Sequence, residues 1–160
     1  MLKTKFKKIM LTSLCVGTLI LSAACGNSEK NVGEEKDKQG HTPREVMLDF
    51  VKADLQRDHK TILKLVVDGD KDTILDRNQG PKNNLSYKDY KVKEYVVDKD
   101  TIMYNFSSKK PPKNIDKEVK WIRVVRTGEG FKVRSYAAPY RNEIDEVADT
   151  KPTSEFSSND

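Results

Sequence analysis

"EVKWIRVVRTGEGFKVRSY", residues 118–136, decides the fold. In its first half Val119, Trp121 and Val125 fall on one side of an extended chain, and Ile122 and Val124 on the other. Side chains alternate across a strand, so apolar residues on both sides predict a central strand covered on both faces, with helices over one of them. "GEG", residues 128–130, supplies the turn, and "FKVRSY" returns as the partner strand.

Upstream, "KKPPKN" at 109–114 breaks the pattern, because two successive prolines cannot sit in a central strand. Before it the period is again two. Tyr90 and Val92 alternate with Lys91 and Lys93, and Ile102, Tyr104 and Phe106 alternate with Met103, Asn105 and Ser107, on either side of "DKD" at 98–100. This predicts a second hairpin and a sheet of about four strands.

Further back the period is helical. "TPRE", residues 42–45, combines Thr42 as N-cap, Pro43 at the first helical position and Glu45 to close a capping box. Val46, Met47, Phe50, Val51 and Leu55 then form one apolar stripe, which implies core packing. "DHKTILKLVV", 58–67, predicts a second short helix capped by Asp58, with Ile62, Leu65 and Val66 inward. "DGDKDTILDRNQGPKNN", 68–84, allows one turn around Ile74 and Leu75 before a loop marked by Gly80 and Pro81. Helices followed by hairpin-linked strands make an α+β domain over residues 42–140, a curved antiparallel sheet packed on N-terminal helices. After it, residues 141–160 lose periodicity. A short helix through Ile144 and Val147 is allowed, but from Thr150 onward the tail is expected to be disordered.

The start of the chain is of another kind. Of the 160 residues, Lys3, Lys5, Lys7 and Lys8 carry four positive charges, and no acid occurs before residue 25. The sixteen residues Ile9 to Ala24 carry no charge, which is short for a membrane span but fits a secretory signal. Without residues 1–24, 26 basic side chains face 25 acidic ones, so the formal charge of +5 belongs mainly to the signal. A mature charge of +1 outside the cell makes nucleic acid a poor partner.

"LSAAC", residues 21–25, places Ser22, Ala23 and Ala24 immediately before Cys25. This resembles the lipobox of bacterial lipoproteins, with Ser22 standing where a large aliphatic residue is most common. The resemblance implies diacylglyceryl modification of Cys25, cleavage between Ala24 and Cys25, and anchoring at the outer face of the cytoplasmic membrane. Cys15 lies inside the signal, so no second cysteine remains for an intrachain disulfide. "GNSEKNVGEEKDKQGH" holds one aliphatic residue, Val32, and residues 25–41 are therefore expected to be a flexible tether.

Lipobox, polar spacer, "TPREVMLDFVKADLQRDHKTILKLV" and the "VVRTGEGFKVRSY" hairpin together resemble small Gram-positive lipoproteins with a nuclear-transport-factor-like or cystatin-like domain. In that family the sheet wraps the first helix into a cone, whose mouth can be a pocket or a dimer surface. The likeness rests on element order over residues 42 to about 138.

Candidate chemistry is sparse. His41 and His59 are the only histidines, with no metal-ligand cluster and no phosphate loop, and no cofactor is implied. His59 beside Asp58 could be an acid–base pair, but neighbours at a helix start more simply cap and solvate. "DGDKD", 68–72, starts like a calcium loop, but Gln79 stands where the twelfth ligand belongs. Some enzymes of the resembled superfamily use an aspartate and a tyrosine in the cone. Asp54 and Tyr87, Tyr90, Tyr95, Tyr104, Tyr136 and Tyr140 are available, and spacing selects no pair. Lys91, Lys93, Lys120, Arg123, Arg126, Lys132 and Arg134 recur on the strands, as a cationic face or, more simply, as a solvated and edge-protecting one.

The favoured reading is a membrane-anchored, non-enzymatic binding module that engages an envelope protein. The alternatives are a small-ligand binder, expected to show a cone mouth with convergent polar groups, and an isomerase or hydrolase, expected to bury an acid or histidine there.

Overall fold

A computed structural model describes residues 32–108, 118–134 and 141–160. Helix α1 spans Pro43–Gln56, α2 His59–Leu65, α3 Lys71–Arg77 and α4 Arg141–Ala148. Strands β1 (Tyr90–Asp98), β2 (Thr101–Ser108), β3 (Val119–Thr127), β4 (Gly130–Arg134) and β5 (Ser154–Ser157) form one open antiparallel sheet in the order β4-β3-β2-β1-β5.

The capping box starts α1 as expected. Glu45 N–H donates to Thr42 Oγ1 at 3.2 Å, and Thr42 N–H donates to Glu45 Oε2 at 2.7 Å. Such a cap stabilises a helix by about 1 kcal/mol. Val46, Met47, Phe50 and Val51 are buried against Ile102, Tyr104, Phe106, Ile122 and Val124 of the sheet, with Ile62 and Ile74 closing the core from α2 and α3. The turn expected around Ile74 is the helix α3.

Register explains the two-sided pattern of β3. Ile102 pairs with Val124 and Val124 with Val133 on the face toward α1. On the opposite face Tyr95 pairs with Met103 and Met103 with Arg123. Tyr95, Met103 and Val125 are buried there too. Arg123 reaches Glu143 of α4 at 3.2 Å, so helices serve both faces and not one.

Two boundaries need correction. The tail does not remain without structure after Thr150, because Ser154–Ser157 adds a fifth strand beside β1, with Val92 opposite Phe156. Its pairing is made by backbone groups, including Thr153 N–H to Glu94 O at 2.8 Å, which a sequence pattern with one apolar residue does not advertise. Phe156 packs against the core.

The expected tether is likewise structured from residue 32. Gln39 Nε2 donates to Glu129 O at 2.7 Å, and Glu35 meets Arg126 at 2.9 Å. Asp37 Oδ2 accepts from Phe131 N–H at 3.0 Å, and its Oδ1 accepts from Gln39 and His41 N–H groups at 2.8 and 3.0 Å. Gly130 has φ of 122°, and a Cβ there would lie 2.4 Å from Asp37 Oδ2, so only glycine fits. Burial opposes charge on Asp37, but the Phe131, His41 and Gln39 N–H groups outweigh it and hold its carboxyl below the usual carboxylate value. Residues 35–41 therefore dock as a leader on the β3–β4 turn, while Glu34 meets Arg44 of α1 at 3.0 Å. Residues 25–31 lie outside the described residues.

Candidate functional site

At the other end of α1 the helix stops in an unusual way. Arg57 has φ of 55° and ψ of 39°, the left-handed region that helix ends usually assign to glycine. Asp58 N–H donates to Ala53 O at 2.8 Å and Arg57 N–H to Asp54 O at 3.2 Å, the two bonds of a Schellman closure. Among the described residues Arg57 is the only one other than glycine with positive φ.

The loop after α3 is sewn to this helix end. Asn83 N–H donates to Gln56 O at 2.8 Å and Asn83 Nδ2 to Leu55 O at 3.1 Å, while Gln56 Nε2 donates to Leu85 O at 3.1 Å. Carbonyls left without intrahelical partners are satisfied in this way. Asn78 is buried and donates its Nδ2 to Asp54 O at 2.7 Å and Asp54 Oδ1 at 2.6 Å. His59 Nε2 lies 2.7 Å from Asn78 O, and a carbonyl only accepts, so that nitrogen carries the proton.

Against this frame the start of β3 brings four polar side chains together. Lys120 Nζ contacts Asp54 Oδ2 at 2.5 Å and Glu118 Oε1 at 2.9 Å. Tyr87 Oη donates to Glu118 Oε2. Burial disfavours charge on Lys120, but Asp54 and Glu118 outweigh it and hold its pKa above the ordinary lysine value. Burial first, and the bond to Glu118 second, push the Tyr87 hydroxyl above the ordinary tyrosine value. At neutral pH Lys120 is thus a fixed ammonium and Tyr87 a neutral hydroxyl.

These residues border a cleft of about 510 Å³, walled also by Leu55, Leu85, Asn83, Arg57 and Arg77. Its size falls in the range of ligand sites. Neither the Arg57 nor the Arg77 guanidinium has an ion-pair partner among the described residues. The Arg57 side chain lies against Gly80, where a Cβ would come within 2.3 Å of its Nη1.

The sequence candidates distribute unevenly over this site. Asp54 and Tyr87 do meet, through Lys120 and Glu118. Tyr90 packs on Phe106, Tyr95 sits on the opposite sheet face beside Trp121, and Tyr104 is buried in the core. Tyr136 and Tyr140 lie outside the described residues, as do Ala24 and Cys25. Asp58 caps α2 at Thr61 N–H and pairs with Lys82 at 2.6 Å, while His59 turns to Asn78, so they form no acid–base couple. Asp68 pairs with Lys71 at 2.5 Å, and no cluster of three metal-ligating side chains occurs among the described residues.

The strand cations do not make one positive face. Lys120, Arg123 and Arg126 pair with carboxylates of Asp54, Glu143 and Glu35, and Lys132 donates to Lys64 O at 2.6 Å. The sequence reading had passed over Arg57, Arg77, Asn78 and Glu118. Only Arg57 carried a local signal, an arginine where a helix ends without glycine. Comparison of the chain with protein families, with curated proteins and with solved structures finds no match.

Proposed function

We propose that this chain is an extracytoplasmic lipoprotein, cleaved after Ala24 and acylated on Cys25, whose folded part is a non-enzymatic binding module for a component of the envelope. The carrying observation is the state of the cleft. Apart from the Arg57 and Arg77 guanidiniums, its ionisable groups are spent on one another, with Lys120 shared between Asp54 and Glu118 and Tyr87 bound to Glu118. A fixed ammonium and a neutral phenol do not exchange protons near neutral pH, so the cleft is suited to holding a ligand and poorly suited to acid–base chemistry.

The placement of the leader supports the same reading. Residues 35–41 dock at the β3–β4 turn, whereas the cleft lies at the C-terminal end of α1, a helix of 14 residues and therefore about 20 Å long. The docked leader borders no part of the cleft, which is left open to a ligand. A helix-first chain followed by an antiparallel meander also supports a nuclear-transport-factor-like or cystatin-like arrangement, in an open form.

Mass spectrometry of the full-length product from a Gram-positive host tests the anchor. The expected N-terminus is a diacylglyceryl Cys25, with Cys25→Ser released from the membrane fraction. A mature protein retaining residues 1–24, or a bare Cys25 thiol, overturns it.

A further inference from the structure

We propose that the cleft binds a small amphiphilic carboxylate, its anionic end held by Arg57 and Arg77 and its apolar body laid against Leu85 and the Tyr87 ring. This rests on the binding-module reading and adds the ligand class.

Three observations carry it. First, the cleft is electrically incomplete. Arg57, Arg77 and Lys120 line it with Asp54 and Glu118, so three cations against two carboxylates leave one positive charge. Lys120 is already engaged by both acids, and the surplus sits on the two guanidiniums, which lack ion-pair partners among the described residues. A monoanion neutralises that surplus. A phosphate dianion would exceed it beside two carboxylates already present.

Second, Arg57 is placed at a conformational cost. Its left-handed backbone is one that glycine adopts freely and arginine does not, and a strained residue in a cleft points to a role for its side chain. Gly80, whose φ of 111° is itself one that glycine adopts, lies against the end of the Arg57 side chain. A planar guanidinium matches a carboxylate by two parallel hydrogen bonds.

Third, the walls are mixed. Leu85 is exposed beside the half-buried Tyr87, and both line the same cleft as the arginines. An ion alone would leave this apolar wall unused, whereas an acid with a hydrocarbon body covers it.

The carboxylate could belong to a free acid or to a peptide terminus, and the probes separate them. Full-length chain in mild detergent is titrated with hydrocinnamate, with N-acetylphenylalaninate and with inorganic phosphate, while backbone amide NMR shifts are followed. Saturable shifts at Arg57, Asn83 and Leu85 are expected with the carboxylates. Tighter binding of hydrocinnamate assigns a free acid, and tighter binding of N-acetylphenylalaninate a peptide terminus.

Arg57→Gly is expected to weaken binding about tenfold while melting no lower than the wild type, and Arg77→Gln to weaken it by a similar factor. Absence of saturable shifts, phosphate binding more tightly than either carboxylate, neutral hydrocinnamide binding as well as the acid, or unchanged affinity in both variants overturns the proposal. The Cys25→Ser chain separates the two readings. Intact binding without membrane attachment is expected if both hold, and an unlipidated wild type that still binds removes only the anchor.

Discussion

Arg57 sets stability against use. A non-glycine residue in the left-handed region costs about 1 kcal/mol relative to glycine, and nothing in the Schellman closure requires its side chain. Arg57→Gly is therefore expected to raise unfolding free energy by about 1 kcal/mol in denaturant titration. A loss instead would mean that the guanidinium supports the loop around Gly80. At Lys120 the sign is opposite. Lys120→Met leaves Asp54 and Glu118 facing each other without their cation, and about 2 kcal/mol of stability should be lost. That lies below the cost for fully buried pairs, because both carboxylates keep some contact with water.

Asp37 supplies a pH dependence. Its folded pKa lies below the ordinary value of 3.8, so the charged form is the one that docks the leader. A group whose pKa is depressed by folding contributes stability above its unfolded pKa and loses it as pH falls through the folded one. Wild type should thus lose a contribution below about pH 4 that Asp37→Asn lacks, and urea midpoints measured across that range would show whether the two curves converge.

Among elements, β5 has the most to explain. It is four residues long, and it occupies the edge that β1 would otherwise present to solvent. Truncation after Ala148 should bare the β1 backbone from Lys91 to Glu94, and concentration-dependent association by light scattering is the expected result. A truncated chain that stays monomeric at high concentration would show that the edge is protected by its own lysines.

The same strand marks where the sequence stopped being informative. Helix α1 and the β3–β4 hairpin were legible because their information is local: a cap box, a stripe, an alternation, a glycine turn. "SEFS" carries one apolar residue, and its pairing depends on backbone groups of a strand some 60 positions earlier. Leader docking escaped for a related reason. "GEEKDKQGH" has the composition of a solvated linker, yet Glu34, Glu35 and Asp37 each find a partner that only tertiary folding supplies. The cleft was half visible. Asp54 and Tyr87 were named among several candidates, but Lys120 joins Asp54 across 66 positions, and no spacing rule links them.

At the scale of the molecule, charge is distributed for pairing and not for a field. Of the strand cations that looked like one face, Lys120, Arg123 and Arg126 are answered by acids from α1, α4 and the leader. Non-specific adhesion to anionic vesicles should accordingly be weak. In co-sedimentation with phosphatidylglycerol vesicles, a Cys25→Ser chain lacking residues 1–24 is expected to stay in the supernatant at physiological salt. Sedimentation with the vesicles would reveal a basic surface that the ion pairs fail to cancel.

Arg44 joins both flanks of the fold. Its guanidinium meets Glu34 of the leader at 3.0 Å, the fully buried Glu94 of β1 at 2.8 Å and Ser154 Oγ of β5 at 2.9 Å, and it lies 5.1 Å from the centre of the Phe156 ring. Segments 120 positions apart in sequence thus share one hub, and thermodynamic reciprocity makes each sensitive to the other. Drawing the leader away is thus expected to remove one of the contacts that hold the Arg44 guanidinium against the last strand, and peeling that strand off to remove one of those that hold it against the leader.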